Sequence, residues 1–304
     1  MYWKRVMVGL VGLHASLSIA GYEQGVDEYQ RGNFASAIYE WRQSAEQGDA
    51  DSQFRLATMY ERGQGTTRNL EEAHKWYQLA ADLGHLPSQM KLAEQSLNGN
   101  GANASPRTAA HWYKRAAEQG EAQAQFQLAL LYLDGRGVEQ DAAEAARWLE
   151  AAAEQDVIPA QNNLGSLYEN GLGVEQDHST AIRWYQEAAR AGDPYAQNNL
   201  GAMYARGKGV DRNHAWAVFW FAMSAQQGNE VAASNIASSL EHLQSREVKP
   251  RVANIRAGTS TEHDVISKVQ RGDALHVLGS TDGWTQVYVP QQQRLGWISS
   301  SLLE

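Results

Sequence analysis

Small and apolar residues recur along most of this chain at intervals of 36 residues. Five of the ten tryptophans occupy one phase of that interval: Trp76, Trp112, Trp148, Trp184 and Trp220. Three further phases are held by alanine, leucine and tyrosine: Ala37, Ala73, Ala109, Ala145, Ala181 and Ala217; Leu56, Leu92, Leu128, Leu164 and Leu200, with Ile236; and Tyr60, Tyr132, Tyr168 and Tyr204. Such an interval is typical of repeat architectures, whose units bury their apolar faces against one another. The pattern predicts about six repeats over residues 21–247.

Each repeat is predicted to contain two helices. Residues 159–170 place Leu164 and Tyr168 on one face at helical spacing, and Gly171 and Gly173 then interrupt the pattern. Glycine accepts the left-handed conformation that often ends a helix, and fifteen of the 27 glycines recur at three phases of the same interval. A short helix pair cannot bury its apolar face alone. We therefore expect a mainly α fold, an α/α superhelical solenoid of stacked pairs with a concave surface.

The starts of the second helices carry capping signals. Asn69 with Glu72 and Asp141 with Glu144 have the spacing of a capping box. Ser105 places a capping hydroxyl before a proline at the first helical position. The aromatic and leucine positions of both helices are interpreted as core packing, which requires no cofactor.

The pattern changes after Pro250. Short alternating segments separated by turn residues predict five strands, at residues 252–256, 265–269, 274–278, 285–289 and 296–299. Such strands are typical of a small barrel. The predicted domains are residues 21–247 for the solenoid and residues 248–304 for the small all-β domain.

The first twenty residues resemble a secretory signal peptide. Lys4 and Arg5 precede a mostly apolar stretch, residues 6–19, and small residues end at Ala20. The stretch is shorter than the roughly 20 residues that a membrane-spanning helix needs. We predict cleavage after Ala20, no membrane span in the mature chain, and a periplasmic or secreted protein. An uncleaved anchor is the alternative.

Composition and charge exclude several function classes. The chain has no cysteine, which excludes cysteine nucleophiles and thiolate metal sites. The net charge of −9 argues against nucleic acid as a partner. The nine histidines lack zinc-hydrolase spacing, and the Gly-x-Gly pairs lack the Lys-Ser or Lys-Thr of a phosphate loop. Acidic pairs such as Glu71 and Glu72 suit helix first turns better than a glycosidase cleft. We expect a protein that is not an enzyme, with no catalytic residue, metal or cofactor.

The repeats resemble the Sel1-like repeat family, relatives of tetratricopeptide repeats. The stretch from Ala160 to Val174 matches the first half of the family pattern almost letter for letter, and Ala181 to Ala189 matches the second half. The resemblance covers about residues 22–245. Departures are Glu40 in place of the tryptophan, Ser96 in place of the tyrosine, and Asp156 in place of a capping glycine; the loop at residues 99–103 lacks the valine.

That resemblance implies a scaffold whose first helices line a groove for a protein partner. The positions just before the leucine phase are all polar: Arg55, Lys91, Gln127, Asn163, Asn199 and Asn235. Such side chains can bond the backbone of an extended peptide. The alternative is a solvated helix face.

The tail resembles a bacterial SH3-like domain, through residues 254–258, Gly272, Gly283 with Trp284, and residues 295–299. The resemblance implies binding of peptide or peptidoglycan. The candidates for its binding surface are Asn254, Arg256, Trp284 and Tyr288. Asn254 and Arg256 have an alternative interpretation as a brace between strand and loop, Trp284 fits core or site equally, and Trp297 is expected in the core.

Charge separates the two parts of the chain. Residues 248–304 hold six Lys or Arg and five Asp or Glu, whereas residues 21–247 hold 18 and 30. Anionic glycan strands would therefore more readily meet the tail.

The sequence predicts a non-catalytic, exported and monomeric adaptor of the cell envelope. An envelope protein or peptide is expected in the groove, and peptide or peptidoglycan on the SH3-like domain. The alternatives are a regulator of a cell-wall hydrolase and a secreted host-interaction factor.

Overall fold

The computed structural model describes residues 20–99 and 104–304. The predicted signal peptide lies outside the described residues except for Ala20, and so does most of the loop at residues 99–103. In the described ranges thirteen helices precede six strands. The helices are α1 (residues 20–30), α2 (Phe34–Glu46), α3 (Ala50–Arg62), α4 (Leu70–Asp82), α5 (Leu86–Leu97), α6 (Pro106–Glu118), α7 (Ala122–Asp134), α8 (Ala142–Ala153), α9 (Ile158–Asn170), α10 (His178–Arg190), α11 (Pro194–Arg206), α12 (His214–Ala225) and α13 (Glu230–Leu240).

The helices form a solenoid of helix pairs, as the 36-residue interval predicts. We call the odd-numbered helices A helices and the even-numbered ones B helices. The chain divides into two compact units, one ending at Ala152 and one beginning at Ala153. The sequence-based domain boundary at 247/248 stays a prediction.

Left-handed glycines end many of these helices. Gly171 follows α9 with φ of 66°, and its N–H bonds the Leu167 carbonyl. All fourteen described glycines at the three predicted phases have positive φ. Four of them directly follow an A helix, which confirms these four as helix stops: Gly63, Gly135, Gly171 and Gly207. Gly209 has a second role, because a Cβ there would lie 2.7 Å from the His178 backbone. The chain approaches α10 too closely for any side chain at that position.

A buried glutamine near the start of each of five A helices contacts the end of the B helix before it. Each donates from Nε2 to the carbonyl of the alanine eight residues earlier, at 3.0–3.3 Å. These glutamines are Gln53, Gln89, Gln125, Gln161 and Gln197. The last carbonyls of a helix lack partners within the helix, so the glutamines supply bonds that the B helices cannot make themselves. Sequence reasoning missed these glutamines, although they recur at intervals of 36 residues.

Alanines and aromatic rings alternate in the helical cores. In the second unit, Ala181, Ala188, Tyr185 and Leu200 are buried together between α10 and α11. The alanines allow close approach of the helices, while the ring fills the space beside them. At the predicted aromatic phases, Tyr168, Tyr204 and Trp220 are partly buried and pack against this same cluster, so these positions contribute to packing as predicted.

The six strands form one antiparallel sheet in the order β1-β4-β5-β6-β2-β3. They are β1 (Ser245–Glu247), β2 (Val252–Arg256), β3 (Val265–Gln270), β4 (Ala274–Thr281), β5 (Trp284–Val289) and β6 (Arg294–Ser299). The five predicted strands are all present. The sixth, β1, was missed because its three exposed polar residues carry no alternation. Ile255, Leu275, Val287 and Ile298 are fully buried in the core of the sheet.

The sheet packs against the last two helices of the solenoid. Tyr288 of β5 lies in one buried cluster with Ala217, Phe221 and Ala222 of α12 and Ile236 of α13. This cluster belongs entirely to the second unit, so α12, α13 and the sheet share a core.

Candidate partner-binding surfaces

Three predicted groove residues lie on successive A helices of the second unit. Asn163, Asn199 and Asn235 are partly buried, on α9, α11 and α13. Asn199 Nδ2 donates to Asn162 Oδ1 at 3.0 Å, and Asn235 Nδ2 donates to Asn198 Oδ1 at 3.0 Å. We call these five residues the asparagine row.

The asparagine row connects helices that are far apart in sequence. Each inter-helix bond spans 37 residues and uses an asparagine that precedes the predicted position. Sequence reasoning missed Asn162 and Asn198, although their spacing of 36 was a visible signal. Bonds between amides hold the side chains in place and leave other amide atoms available, so the row suits recognition of peptide groups.

On α5 of the first unit the equivalent position is the charged residue Lys91. The Lys91 ammonium lies 2.9 Å from Glu61 Oε1, and the Tyr77 hydroxyl donates to Glu61 Oε2 at 2.9 Å. Gln95 Nε2 also donates to Glu61, at 3.1 Å. Burial acts to raise the pKa of Glu61, but these donors outweigh it and hold that pKa below its usual value. Lys91 therefore serves a local ion pair, beside a cavity of about 470 Å³.

The other two predicted groove residues of the first unit lie in different surroundings. Arg55 is exposed, with Nη2 3.4 Å from the Tyr22 hydroxyl. Gln127 lines a cavity of about 250 Å³ together with Tyr113, whose pKa is raised to about 12 by burial and by the charge of Glu94. The structure brings three of the six predicted residues into one row of amides and leaves the other three in separate local contacts.

The SH3-like candidates are distributed over the sheet. Arg256 Nη1 donates to the His263 carbonyl at 2.7 Å, a contact that matches the brace interpretation. Asn254 is partly buried on β2 opposite Lys268, and Trp284 is partly buried at the start of β5.

Two expectations for the sheet need correction. Tyr288 was a surface candidate, but it is only 3% exposed because it packs against α12 and α13. Its ring is part of the core, and burial raises the pKa of its hydroxyl. Trp297 was expected in the core, but it is only partly buried and lines a cavity of about 530 Å³.

The described residues contain no group of three or more His, Asp or Glu side chains arranged to hold a metal ion. In those same ranges, no helix combines the length and the apolar character required to cross a bilayer.

The Sel1 repeat model matches the chain five times, at residues 50–85, 86–121, 122–157, 158–193 and 194–229. A bacterial SH3 domain model matches residues 251–304. The repeat matches begin at α3 and end after α12. The pair α1–α2 and the helix α13 therefore depart from the family pattern, as solenoid ends commonly do.

Several solved structures resemble the chain, including the two that follow. A protective antigen present in uropathogenic Escherichia coli strains, which displays an SLR fold, is 37% identical with a TM-score of 0.60, over 67% of this chain and 44% of that one. The chain thus matches less than half the length of that protein. A Sel1 repeat protein from Oxalobacter formigenes is 29% identical with a TM-score of 0.63, over 72% of this chain and 90% of that one. Among curated proteins there is no match.

Proposed function

The chain belongs to the Sel1 repeat family and carries a C-terminal bacterial SH3 domain, and from this premise we propose that it is a non-catalytic adaptor of the cell envelope. Both parts suggest a role in protein–protein interaction. In this proposal the chain is exported, the asparagine row holds an extended segment of an envelope protein, and the SH3 domain attaches to peptide or peptidoglycan.

The observation that carries the proposal is the asparagine row. Asn162, Asn163, Asn198, Asn199 and Asn235 bring amide groups from three successive A helices together, and two inter-helix bonds of 3.0 Å hold them. An extended peptide presents N–H and C=O groups at regular intervals, so fixed amides on neighbouring helices are suited to bond it without reading its side chains.

Site-specific photocrosslinking in cells tests the groove. A photoreactive residue replaces Asn163 in the full chain, and the matched control carries it at Arg183, an exposed position on α10. We expect a discrete adduct with an envelope protein from position 163 alone, and loss of that adduct when Asn199→Ala is added. Equal adducts from both positions, or no adduct, would contradict the proposal.

Sedimentation with purified peptidoglycan tests the tail. We expect the full chain to sediment with peptidoglycan and the Trp284→Ala variant to sediment less, with Tyr39→Ala on α2 as the control because Tyr39 is 63% exposed. Identical sedimentation of the wild type and Trp284→Ala would remove Trp284 from the proposed surface. Hydrolysis of peptidoglycan by the purified chain would refute the non-catalytic assignment.

A second candidate is a secreted factor that interacts with a host. The similarity to a protective antigen of uropathogenic Escherichia coli favours it. Fractionation of a culture distinguishes the two locations: the adaptor is expected in the envelope fraction, and the secreted factor in the medium.

A further inference from the structure

The last B helix replaces a polar face with an aromatic one. Where α4, α6, α8 and α10 carry a cation or histidine, α12 carries Phe219; the earlier residues at this phase are Lys75, His111, Arg147 and Arg183. Where those helices carry Glu or Thr, α12 carries Trp216; the earlier residues are Glu72, Thr108, Glu144 and Thr180. Trp216 is 48% exposed, and its ring meets Phe219 edge-on at 5.5 Å. The first B helix, α2, also has an aromatic residue at the phase of Phe219, which is Tyr39, but among the B helices only α12 is aromatic at both phases.

Phe219 of this aromatic face lines a cavity of the second unit. Phe219 and Met223 of α12 lie on one wall, and Ile266 and Trp297 of the sheet lie on the other, around about 530 Å³. We call this space the helix–sheet cleft. Its volume falls in the range of roughly 300–1,000 Å³ that is typical of sites for small ligands. These four side chains make part of the lining apolar and aromatic, so the cleft can accept one bulky side chain beside its polar residues Gln226, Gln286 and Arg294.

A single guanidinium supplies the charge of the cleft. Arg294 lines it, and its Nη1 donates to the Ile266 carbonyl at 2.7 Å. Among the residues that the structure describes, no carboxylate lies within ion-pair distance of Arg294. The carbonyl contact fixes the planar group and leaves further N–H donors, which match a carboxylate. Gln286 adds an amide beside it.

We propose that the helix–sheet cleft binds a peptide segment in which a bulky apolar side chain stands next to a carboxylate. The apolar side chain packs between Phe219 and Trp297, and the carboxylate pairs with Arg294. The carboxylate is either a chain terminus or an acidic side chain. The proposal deepens the adaptor function, on which it rests, by naming the chemistry of a partner; it uses a surface distinct from the asparagine row.

Peptide titration of the full-length protein tests the cleft by fluorescence anisotropy. The probe is a labelled Ala-Ala-Ala-Phe peptide with a free C-terminal carboxylate. Its C-terminal amide and the blocked peptide Ala-Glu-Phe-Ala distinguish a terminal from a side-chain carboxylate. We expect Arg294→Gln and Phe219→Arg each to weaken binding of the preferred peptide at least tenfold. Arginine already occupies the position of Phe219 in α8 and α10, so the second variant is compatible with a B helix.

The controls separate this proposal from the adaptor function. Lys268→Gln removes an exposed cation of β3 and should leave peptide affinity unchanged. Circular dichroism verifies folding of each variant, and photocrosslinking from Asn163 should be the same in Phe219→Arg as in the wild type. The proposal is overturned if wild type and both cleft variants bind the peptides equally, if neither carboxylate peptide binds better than the amide, or if a neutral N-acetylglucosamine tetramer binds in preference to all three peptides.

Discussion

Replacing Leu83 with glutamine should stabilise the first unit, because it completes a hydrogen-bond pattern that two other repeats already have. Gln119 Nε2 donates to the buried Gln89 Oε1 at 2.7 Å, and Gln227 Nε2 donates to Gln197 Oε1 at 2.9 Å. Both pairs span 30 residues, and Leu83 stands 30 residues after Gln53.

The substitution would give a hydrogen-bond donor to a buried oxygen of Gln53. Gln53 Oε1 is buried and has no hydrogen-bond partner in the described parts of the chain. Leu83 has φ and ψ of −77° and 0°, close to the −85° and 0° of Gln119, so a glutamine there can take the same path. Leu83 is 60% exposed, and its replacement therefore removes little buried apolar surface.

The expected gain is about 1 kcal/mol. A buried acceptor without a partner costs about 1–3 kcal/mol. Ordering a glutamine side chain costs up to about 1.5–2 kcal/mol, which offsets part of that gain. A change of this size corresponds to a rise in Tm of roughly 2–4 °C for a folding unit of about 150–250 residues.

Thermal and denaturant unfolding of the full chain measure the effect. Leu83→Glu is the matched control, since it has the shape of glutamine without an N–H donor, and it should give no gain. Gln119→Leu is the converse change and should lower the free energy of unfolding by a similar amount, because it leaves Gln89 Oε1 without its donor. Equal stabilisation by Leu83→Gln and Leu83→Glu would refute the hydrogen-bond argument.

Three further predictions, tested with five substitutions, concern other features. Asp156 stands at a glycine phase with φ of 61°, a conformation that glycine adopts more readily than aspartate. Asp156→Gly should therefore raise the free energy of unfolding by about 1 kcal/mol in a denaturant titration. Gly192→Ala, at φ of 98°, should lower it by at least as much. Gly209→Ala should lower Tm by several degrees because its Cβ would meet backbone at 2.7 Å, while Gly279→Ala, with open space around its Cβ, should be nearly neutral in differential scanning calorimetry. Burial lowers the pKa of His85 below its usual 6.5, so the imidazole binds a proton more tightly in the unfolded chain than in the folded one. The free energy of unfolding should therefore fall as the pH drops below 6.5. In unfolding curves at pH 5–8, His85→Asn should reduce this dependence of stability on pH. A slope unchanged by His85→Asn would show that His85 does not contribute.

The helical fold was predictable because its determinants are local and repeated. A glycine such as Gly171 must adopt φ of 66°, and its position at a fixed phase shows where every pair turns. Leu164 and Leu200 lie in the core for the same reason, since one periodic pattern positions both. The residues within one repeat therefore determine where its helices end and which side chains enter the core.

Contacts between elements of different kinds were not predictable in this way. The alternation along β5 places Tyr288 on the same face as Trp284 and Gln286, but it cannot show that Tyr288 packs against α12. The partner of Asn199 is likewise set by the stacking of α9 and α11, a tertiary contact. Buried glutamines such as Gln125 were accessible in principle, because a polar residue at a constant phase beside buried alanines must have a repeated hydrogen-bond partner.

The packing of Tyr288 gives the sheet a second role, as the cap of the solenoid. Stacked repeats are stabilised by their nearest neighbours, so an end with one neighbour frays first. In the second unit the sheet acts as the missing neighbour of α12 and α13, and it covers Ala217, Phe221 and Ile236. Removing residues 248–304 would expose that apolar surface to water and loosen the last helices. Loss of binding in such a truncated chain could then result from fraying of the last helices or from loss of a ligand site on the sheet. Point variants of the intact chain distinguish these two causes.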